Sequence, residues 1–328
     1  MKYIDSHSLS PFFNLAIEEH VLKKFSLDED FIFLWQNTPT IVVGSNQNTV
    51  EEINLKFVRD NNINVVRRMS GGGAVYQDLG NLNFTFLAQV SETSRIDMKK
   101  YACPIAHALR DMGVPAEVSG RNDITVNGKK ISGNAQRLYQ NKILHHGTLL
   151  FDSDLNILEK ALKVNIDKIQ SKGIKSIRSR VTNISDYLVQ KIDMQAFKNI
   201  LLKYLFKGEE PIQYHLTEED LEEVNRLVKD KYATWDWNYS KSPNYSLFNS
   251  SRFSGGKIEC YLDVKNGIIK NSKIYGDFLS INDIADIEKE INGKKYGRKA
   301  LTDALSKFNL FHYFGDISME EILSVFFG

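Results

Sequence analysis

The apolar positions along this chain change period several times, and each change marks an element. Ser10 and Pro11 stand before Phe12, Phe13, Ala16, Ile17 and Val21, a helical spacing opened by a capping residue and by Pro in the first turn. Short apolar runs at 31–35 and 40–44 predict strands, and 50–61 reads as a helix. Residues 65–69 and 81–88 are strand-like. The pattern at 101–112 predicts a helix that stops at Gly113, because Gly readily takes the left-handed conformation at a helix end. Two short runs, 124–126 and 129–132, flank Asn127-Gly128, a pair that suits the two positive-φ positions of a tight hairpin turn. Another strand follows at 142–151. Strands joined by hairpins and interspersed with helices imply an α+β fold, with a mostly antiparallel sheet and flanking helices.

From 154 to about 230 the pattern is helical and charged, with Leu155, Leu158, Leu162, Phe197, Ile200, Leu201 and Tyr204 as candidate core positions. Residues 238–256 are then rich in Asn, Ser and Gly and include Pro243, the composition of a boundary. Beyond them, 257–264 and 268–275 flank Asn266-Gly267 as a second hairpin, and helical patterns follow at 281–291 and 298–308. We therefore expect a larger domain over 1–245 and a small α+β domain over 246–328.

At 328 residues the chain is long enough for two cores. Charged residues make up 25% and the net charge is +1, which gives no global electrostatic reason to bind nucleic acid. Cys103 and Cys260 are the two cysteines, with no CxxC and no zinc-like spacing, as suits a reducing compartment. No secretory pattern and no bilayer-length apolar run is evident, so the expectation is a cytoplasmic monomer without a membrane segment.

Between the strands at 65–69 and 81–88 runs Arg67-Arg68-Met69-Ser70-Gly71-Gly72-Gly73-Ala74-Val75-Tyr76. Glycine permits positive φ and carries no Cβ to hold a ligand away, so a triplet between strands suits a loop whose amides approach an anion. No Gly-Lys-Ser or Gly-Lys-Thr follows, which excludes a Walker loop, and the spacing is not the dinucleotide fingerprint. Alternation puts Ile63, Val65, Arg67 and Met69 on one face and Asn64, Val66, Arg68 and Ser70 on the other.

The first hairpin distinguishes its two lysines. With Asn127 and Gly128 in the turn, Val126 pairs with Lys129, Thr125 with Lys130, Ile124 with Ile131 and Asp123 with Ser132. Asp123, Thr125, Lys130 and Ser132 then share a polar face, while Ile124, Val126 and Ile131 take the apolar one. Lys130 lies diagonal to Asp123, at roughly 7 to 8 Å between backbones, and Lys129 reaches for solvent. Both lysines also fit a solvated hairpin edge. His145-His146 on one strand point to opposite faces and have no evident third ligand, so a satisfied histidine fits better than a metal site.

Four separated motifs carry a resemblance: Phe13-Asn14-Leu15-Ala16-Ile17-Glu18-Glu19, the Arg-Arg-Met-Ser-Gly-Gly-Gly-Ala-Val-Tyr loop, Ser119 to Gln136 with its Gly-Lys-Lys turn, and Leu144-His145-His146-Gly147-Thr148. With Gly173-Ile174-Lys175-Ser176-Ile177-Arg178-Ser179-Arg180-Val181-Thr182-Asn183 and Trp235-Asp236-Trp237-Asn238 they cover most of the chain, which resembles lipoate-protein ligases with a C-terminal accessory domain. The resemblance implies a two-step enzyme that activates lipoate with ATP and Mg²⁺ to lipoyl-adenylate, then transfers the acyl group to a lysine of a lipoyl domain. The implied acceptors are the E2 subunits of 2-oxoacid dehydrogenases or the glycine-cleavage H protein. It implies Lys130 as the catalytic cation contacting both acyl oxygen and phosphate, with Asp123 orienting it or helping to hold a metal. Arg68, Gly73, Ala74, Val75, Tyr76, Asn122 and Lys130 would bind the adenylate. Lys130, Arg67, Ser70, Gly72, Gly73 and His146 would bind lipoate, with a structural ion-pair role as the alternative for Arg67. The metal ligands stay unassigned. One position departs from the family: Gln77 stands where a His is usual, and glutamine cannot titrate near neutral pH.

The alternatives are an acyltransferase working through a cysteine thioester and a non-catalytic carrier. The thioester relatives have their nucleophile just before the hairpin lysine, where this chain has Arg121-Asn122-Asp123. The Gly-Arg-Gly-Arg loop of biotin ligases, which share the chemistry, is absent.

Overall fold

A computed structural model describes residues 1–90, 97–120, 122–162, 180–239 and 247–327. Arg121, the motif residues 173–179 and the expected boundary at 245/246 with Pro243 lie outside the described residues. In chain order the first elements are β1 (Lys2–Ile4), α1 (Pro11–Lys24), β2 (Phe31–Trp35), β3 (Thr40–Val43), α2 (Thr49–Glu52) and α3 (Leu55–Asp60). Next come β4 (Asn64–Arg67), β5 (Val75–Gln77), β6 (Asn81–Gln89), α4 (Met98–Asp111), β7 (Ala116–Ser119), β8 (Asp123–Val126), β9 (Lys129–Tyr139), β10 (Lys142–Leu150) and α5 (Leu155–Ala161). They are followed by α6 (Met194–Leu205), β11 (Gln213–Tyr214), α7 (Glu218–Leu227) and α8 (Trp235–Tyr239). The last are β12 (Leu247–Phe253), β13 (Gly256–Lys265), β14 (Ile268–Gly276), α9 (Ala285–Ile291), α10 (Arg298–Leu305), α11 (Phe311–Phe314) and α12 (Met319–Phe327).

The fold is α+β. An eight-stranded sheet in the order β11-β1-β2-β6-β10-β9-β8-β7 is antiparallel from β2 to β7, with β1 and β11 added in parallel. Its strand β2 is buried along its whole length because both faces are covered. Ile32 and Leu34 pack with α4 and α6 residues such as Ile105 and Phe197, and Phe31 and Phe33 pack with α1 residues Leu15 and Val21. A second sheet, β4-β3-β5, sits on its own apolar cluster with Val58 and Leu158 and holds the Gly loop between β4 and β5.

Helix α1 starts where its sequence dictates: Ser10 accepts a hydrogen bond from Phe13 N, and Pro11 opens the first turn. The single helix expected over 50–61 is two. Ile53 leaves the helical path to bridge Leu162, and Asn54 caps a new helix by accepting from Phe57 N. Asp97 similarly caps α4 and starts it before the expected Tyr101. Ile200, expected in the core, is 41% exposed. The expected register of the first hairpin holds for Val126 with Lys129 and Thr125 with Lys130, then slips at a bulge. Ile124 opposes Ser132 and Asp123 opposes Gly133, so Ile131 is the inserted residue and Ser132 turns to the buried face.

Residues beyond β12 enclose a separate apolar cluster that includes Ile258, Leu262, Ile287, Leu301 and Phe326, with two helices, α11 and α12, beyond those expected. This C-terminal unit meets the rest through backbone: Gly72 N donates to Phe278 O at 3.0 Å and Gly276 N to Asn46 O at 2.6 Å. No helix among the described residues is long and apolar enough to cross a membrane.

Candidate active site

A cleft of about 790 Å³ opens between the Gly loop, the β8–β9 hairpin, β10 and the C-terminal unit. The loop owes its shape to contacts that a side chain would block. A Cβ on Gly44 would fall 2.0 Å from Gly72 O, and one on Gly71 would fall 2.7 Å from Ser280 N. Gly72 has φ +90°, and Gly73 alone of the triplet has open space where a Cβ would point. Two of the three glycines therefore serve packing, and the third leaves room for a ligand.

Arg68 holds this loop from behind. Its Nη2 donates to Gly71 O at 2.7 Å and Gly73 O at 2.8 Å, its Nη1 to Val42 O at 3.1 Å and its Nε to Ser70 Oγ at 3.1 Å. Burial pushes its pKa down to about 10, which leaves it cationic at neutral pH. Arg67, by contrast, does not line the cleft, so geometry does not bring it to the expected lipoate site. Its guanidinium donates to the carbonyls of Gly44, Gln47 and Trp237 and to Thr49 Oγ1, all within 2.7–2.9 Å. Nor does it form an ion pair among the described residues, where these acceptors are carbonyls and a hydroxyl. Trp237 Nε1 in turn donates to Arg67 O at 2.9 Å, and Arg67 N donates to Asn238 Oδ1 at 2.9 Å. The Trp235-Asp236-Trp237-Asn238 motif is thus the clasp on β4.

Across the cleft Lys130 Nζ lies 2.7 Å from Asp123 Oδ1, and both side chains are about a third exposed, at 36% and 34%. A Cβ on Gly133 would come within 2.8 Å of that Nζ, so the lysine lies over the bare glycine that the bulge brings opposite Asp123. Lys129 points to solvent. Asn122 lines the cleft and donates to Asn134 O at 2.7 Å.

The two histidines separate as alternation requires. His145 is fully buried; burial drops its pKa to about 3 and keeps it neutral. Gln136 Nε2 meets its Nδ1 at 3.0 Å, which leaves Nε2–H to donate to Asn134 Oδ1 at 3.1 Å. His146 faces the cleft: its Nδ1 is 3.0 Å from Glu18 Oε1 and its Nε2 is 2.6 Å from Ser70 Oγ. Glu18, His146, Ser70 and Arg68 form one hydrogen-bonded chain from α1 to the loop. Thr85 Oγ1 donates to Glu18 Oε1 at 2.5 Å and itself accepts from Trp35 Nε1 at 3.0 Å.

The structure thus gathers Arg68, Gly72, Gly73, Ala74, Val75, Asn122, Asp123, Lys130 and His146 at one cleft. Ser70 reaches it through His146, whereas Tyr76 turns into the core of the small sheet. Gln77 lines the cleft within an amide network, accepting from Asn37 Nδ2 and donating to Asn83 Oδ1, both at 2.7 Å. Sequence reasoning assigned no role to Trp35, Arg180, Arg252 or Asp277, which also line the cleft. Arg252 Nη2 and Asp277 Oδ2 form an ion pair at 3.2 Å in the C-terminal unit. The Arg178-Ser179-Arg180 repeat was the one signal that pointed to any of them. Among the described residues no group of three or more His, Cys, Asp or Glu forms a metal site.

Two family descriptions match the chain: the lipoyl protein ligase A/B catalytic domain over residues 10–206, and the bacterial lipoate protein ligase C-terminus over residues 242–326. The lipoate-protein ligase LplJ of Bacillus subtilis is 47% identical over 100% of both chains. Lipoate–protein ligase 1 of Staphylococcus aureus is 45% identical, covering 98% of this chain and 99% of that one. Among solved structures, P. falciparum LipL1 in complex with lipoate superposes with a TM-score of 0.80 at 30% identity, over 98% of this chain and 97% of that one. The ligase of a bipartite lipoylation system from Thermoplasma acidophilum, described with its E2 lipoyl domain, gives a TM-score of 0.63 at 25% identity, over 75% of this chain and 98% of that one. Full-length identity at this level, with both family descriptions met in order, places the chain in the lipoate-protein ligase family.

Proposed function

We propose that the protein joins lipoate to the lysine of a lipoyl domain in two steps, both in the cleft between the Gly loop and Lys130. In the first, a lipoate carboxylate oxygen attacks the α-phosphorus of ATP and pyrophosphate leaves. In the second, the ε-amine of the acceptor lysine attacks the acyl carbon, the acyl–oxygen bond breaks, and AMP departs.

The observation that carries this reading is Lys130, held by Asp123 over Gly133 and facing the loop that Arg68 shapes. Two anions must meet in the first step. A fixed cation between them offsets charge that develops in the transition state, worth roughly 3 kcal/mol for one well-placed donor. Lysine suits the task as a compact point charge on a mobile stem. Ala74 and Val75 continue the loop wall beside the open space at Gly73, and Asn122 offers an amide on the opposite side. We assign these residues to the adenylate and the side of the cleft walled by Trp35 and His146 to the lipoyl chain.

Mg²⁺ fits this cleft. It is commonly bound through one or two carboxylates plus substrate phosphates, and Asp123 supplies a carboxylate beside Lys130. When bound it would screen the triphosphate and assist pyrophosphate departure.

We place the division of the chain at 245/246 and assign the C-terminal unit to closing the cleft, since Arg252, Phe253 and Asp277 reach its wall. A closed cleft protects the adenylate from water. The acceptors we propose are lipoyl domains of 2-oxoacid dehydrogenase E2 subunits or the glycine-cleavage H protein. Thioester chemistry is disfavoured by position: Cys103 sits on α4, Cys260 is buried with its thiol pKa pushed up, and neither lines the cleft.

The test is mass analysis of an E2 lipoyl domain after incubation with lipoate, ATP, Mg²⁺ and a chain carrying Cys103→Ser and Cys260→Ser. We expect one lipoyl group on the acceptor lysine at close to the wild-type rate. A lipoyl thioester trapped on either cysteine of the wild-type protein would replace this reading with the transferase.

A further inference from the structure

The large sheet lays a track along one wall of the cleft. Lys130 lies over Gly133, and Gly133 N donates to Thr148 Oγ1 at 3.3 Å. Thr148 stands opposite Asn83 on β6, and Asn83 stands opposite Trp35 on β2. Gly133, Thr148, Asn83 and Trp35 therefore form one row across the adjacent strands β9, β10, β6 and β2, and all four line the cleft. At the usual spacing between strands the row runs roughly 10 Å from Gly133 to Asn83 and roughly 14 Å to Trp35. It leads away from Lys130, where the carboxylate reacts, into the side of the cleft assigned above to the lipoyl chain.

A bridge crosses this row. On β5, Val75 and Gln77 share the face that looks into the cleft, and Gln77 is the farther of the two from the Gly loop. Its side chain reaches from the small sheet to the large one. Gln77 Nε2 donates to Asn83 Oδ1 at 2.7 Å, and Asn83 Nδ2 lies 3.4 Å from Gln77 Oε1. Further amides hold both ends. Gln77 Oε1 accepts from Asn37 Nδ2 at 2.7 Å, Asn37 Oδ1 accepts from Asn14 Nδ2 at 3.0 Å, and Asn83 Oδ1 accepts from Asn81 Nδ2 at 3.0 Å. All five side chains are buried. An alkyl chain brings neither donor nor acceptor, so one that displaced this bridge would leave buried amides unpaired.

We propose that the Gln77–Asn83 bridge is the end stop of the acyl pocket and sets the longest unbranched acid that the site activates. The proposal deepens the ligation proposed above and rests on it. A straight acid with its carboxylate at Lys130 lies along the row over Thr148 and meets the bridge at about the reach of the eight-carbon chain that lipoate carries. Octanoate, which has that chain without the dithiolane, fits in front of the stop, and dodecanoate, four carbons longer, does not. Gln77 and Asn83 thus act on the choice of acid and not on the reacting atoms.

The experiment is acid-dependent exchange of labelled pyrophosphate into ATP by the full chain, comparing octanoate with dodecanoate below the micelle concentration of the longer acid. In the wild type, kcat/KM for dodecanoate should be lower than for octanoate by about 10² or more, the cost of extra methylenes in a closed pocket. Gln77→Ala and Asn83→Ala remove the bridge from opposite ends, and each should raise the dodecanoate-to-octanoate ratio at least tenfold. Gln77→Asn keeps an amide for Asn37 but falls one methylene short of Asn83, and should raise the ratio at least threefold. A network needed only for folding would lower both acids alike and leave the ratio where it was. An unchanged ratio in the variants, or a wild type that uses the two acids equally well, would overturn the proposal. If the wild type exchanges with neither lipoate nor octanoate, the proposed reaction fails, and equilibrium dialysis with the same two labelled acids still decides the stop from the ratio of their affinities.

Discussion

The two walls of the cleft are built in opposite ways. The Gly loop is made of backbone and locked on all but its Gly73 side: Arg68 gives three of its four hydrogen bonds to the loop and one to Val42 of β3, Gly44 touches it backbone to backbone, and Phe278 and Ser280 close it from the C-terminal unit. The hairpin presents a side chain, and Lys130 has one carboxylate partner among the described residues and a third of its surface open. A cation consumed by carbonyls shapes a site, whereas a cation held by a single exposed partner can move onto a substrate. The difference teaches where to look for chemistry among several charges: at the one that folding does not need.

The largest effect should therefore separate activity from stability. Lys130→Ala should lower lipoate adenylation by about 10² or more while the melting temperature stays within about 2 °C, because an exposed ion pair contributes about 1 kcal/mol or less. A collapse in stability would show that the hairpin needs Lys130 to fold. The inverse result is expected next. Arg67→Leu should cost about 3 kcal/mol, since it leaves the carbonyls of Gly44, Gln47 and Trp237 without their buried donor, yet the folded fraction should adenylate within about threefold of wild type. Chemical denaturation with adenylation measured on the same samples checks both numbers.

Much of this comparison was legible in the chain. Asn127-Gly128 and Asn266-Gly267 sit in their turns with positive φ at all four residues, so both hairpins follow from local chemistry. Alternation correctly sent Lys129 to solvent and His145 and His146 to opposite faces. It failed where a register changed or a distant element intervened. The bulge at Ile131 is invisible to a period of two, and it moved Ser132 off the Lys130 face while bringing Gly133 under the lysine. Arg67 and Arg68 look alike in sequence; what sorts them is Trp237 and Asn238, 170 and 171 residues away. Arg252 and Asp277 carry no local signal at all, because their place in the cleft depends on how the C-terminal unit packs on Asn46 and Gly72.

Smaller effects refine the picture. His145 is held neutral in the fold, with its pKa dropped from 6.5 to about 3 by burial. The unfolded chain therefore takes up the proton first, so this stability is complete above about pH 6.5 and is lost as pH falls toward 3. Between pH 7 and 5 the loss should be about 1–2 kcal/mol, and His145→Gln should flatten the profile in that window. A profile unchanged by the substitution would mean that other groups govern acid sensitivity. Smallest of all, Lys129→Ala should leave adenylation within about twofold of wild type. Losses from Lys129→Ala and Lys130→Ala of equal size would erase the contrast that the hairpin geometry draws.

The most direct measurement is lipoate-dependent exchange of labelled pyrophosphate into ATP, with no acceptor protein present, on the wild type and on Lys130→Ala. Exchange reports the reversible first step alone. The account predicts exchange by the wild type that requires lipoate and Mg²⁺ and falls by about 10² or more in Lys130→Ala. Wild-type protein that transfers a lipoyl group between carriers yet shows no exchange would contradict an adenylate intermediate, and full exchange in Lys130→Ala would contradict the role of that lysine.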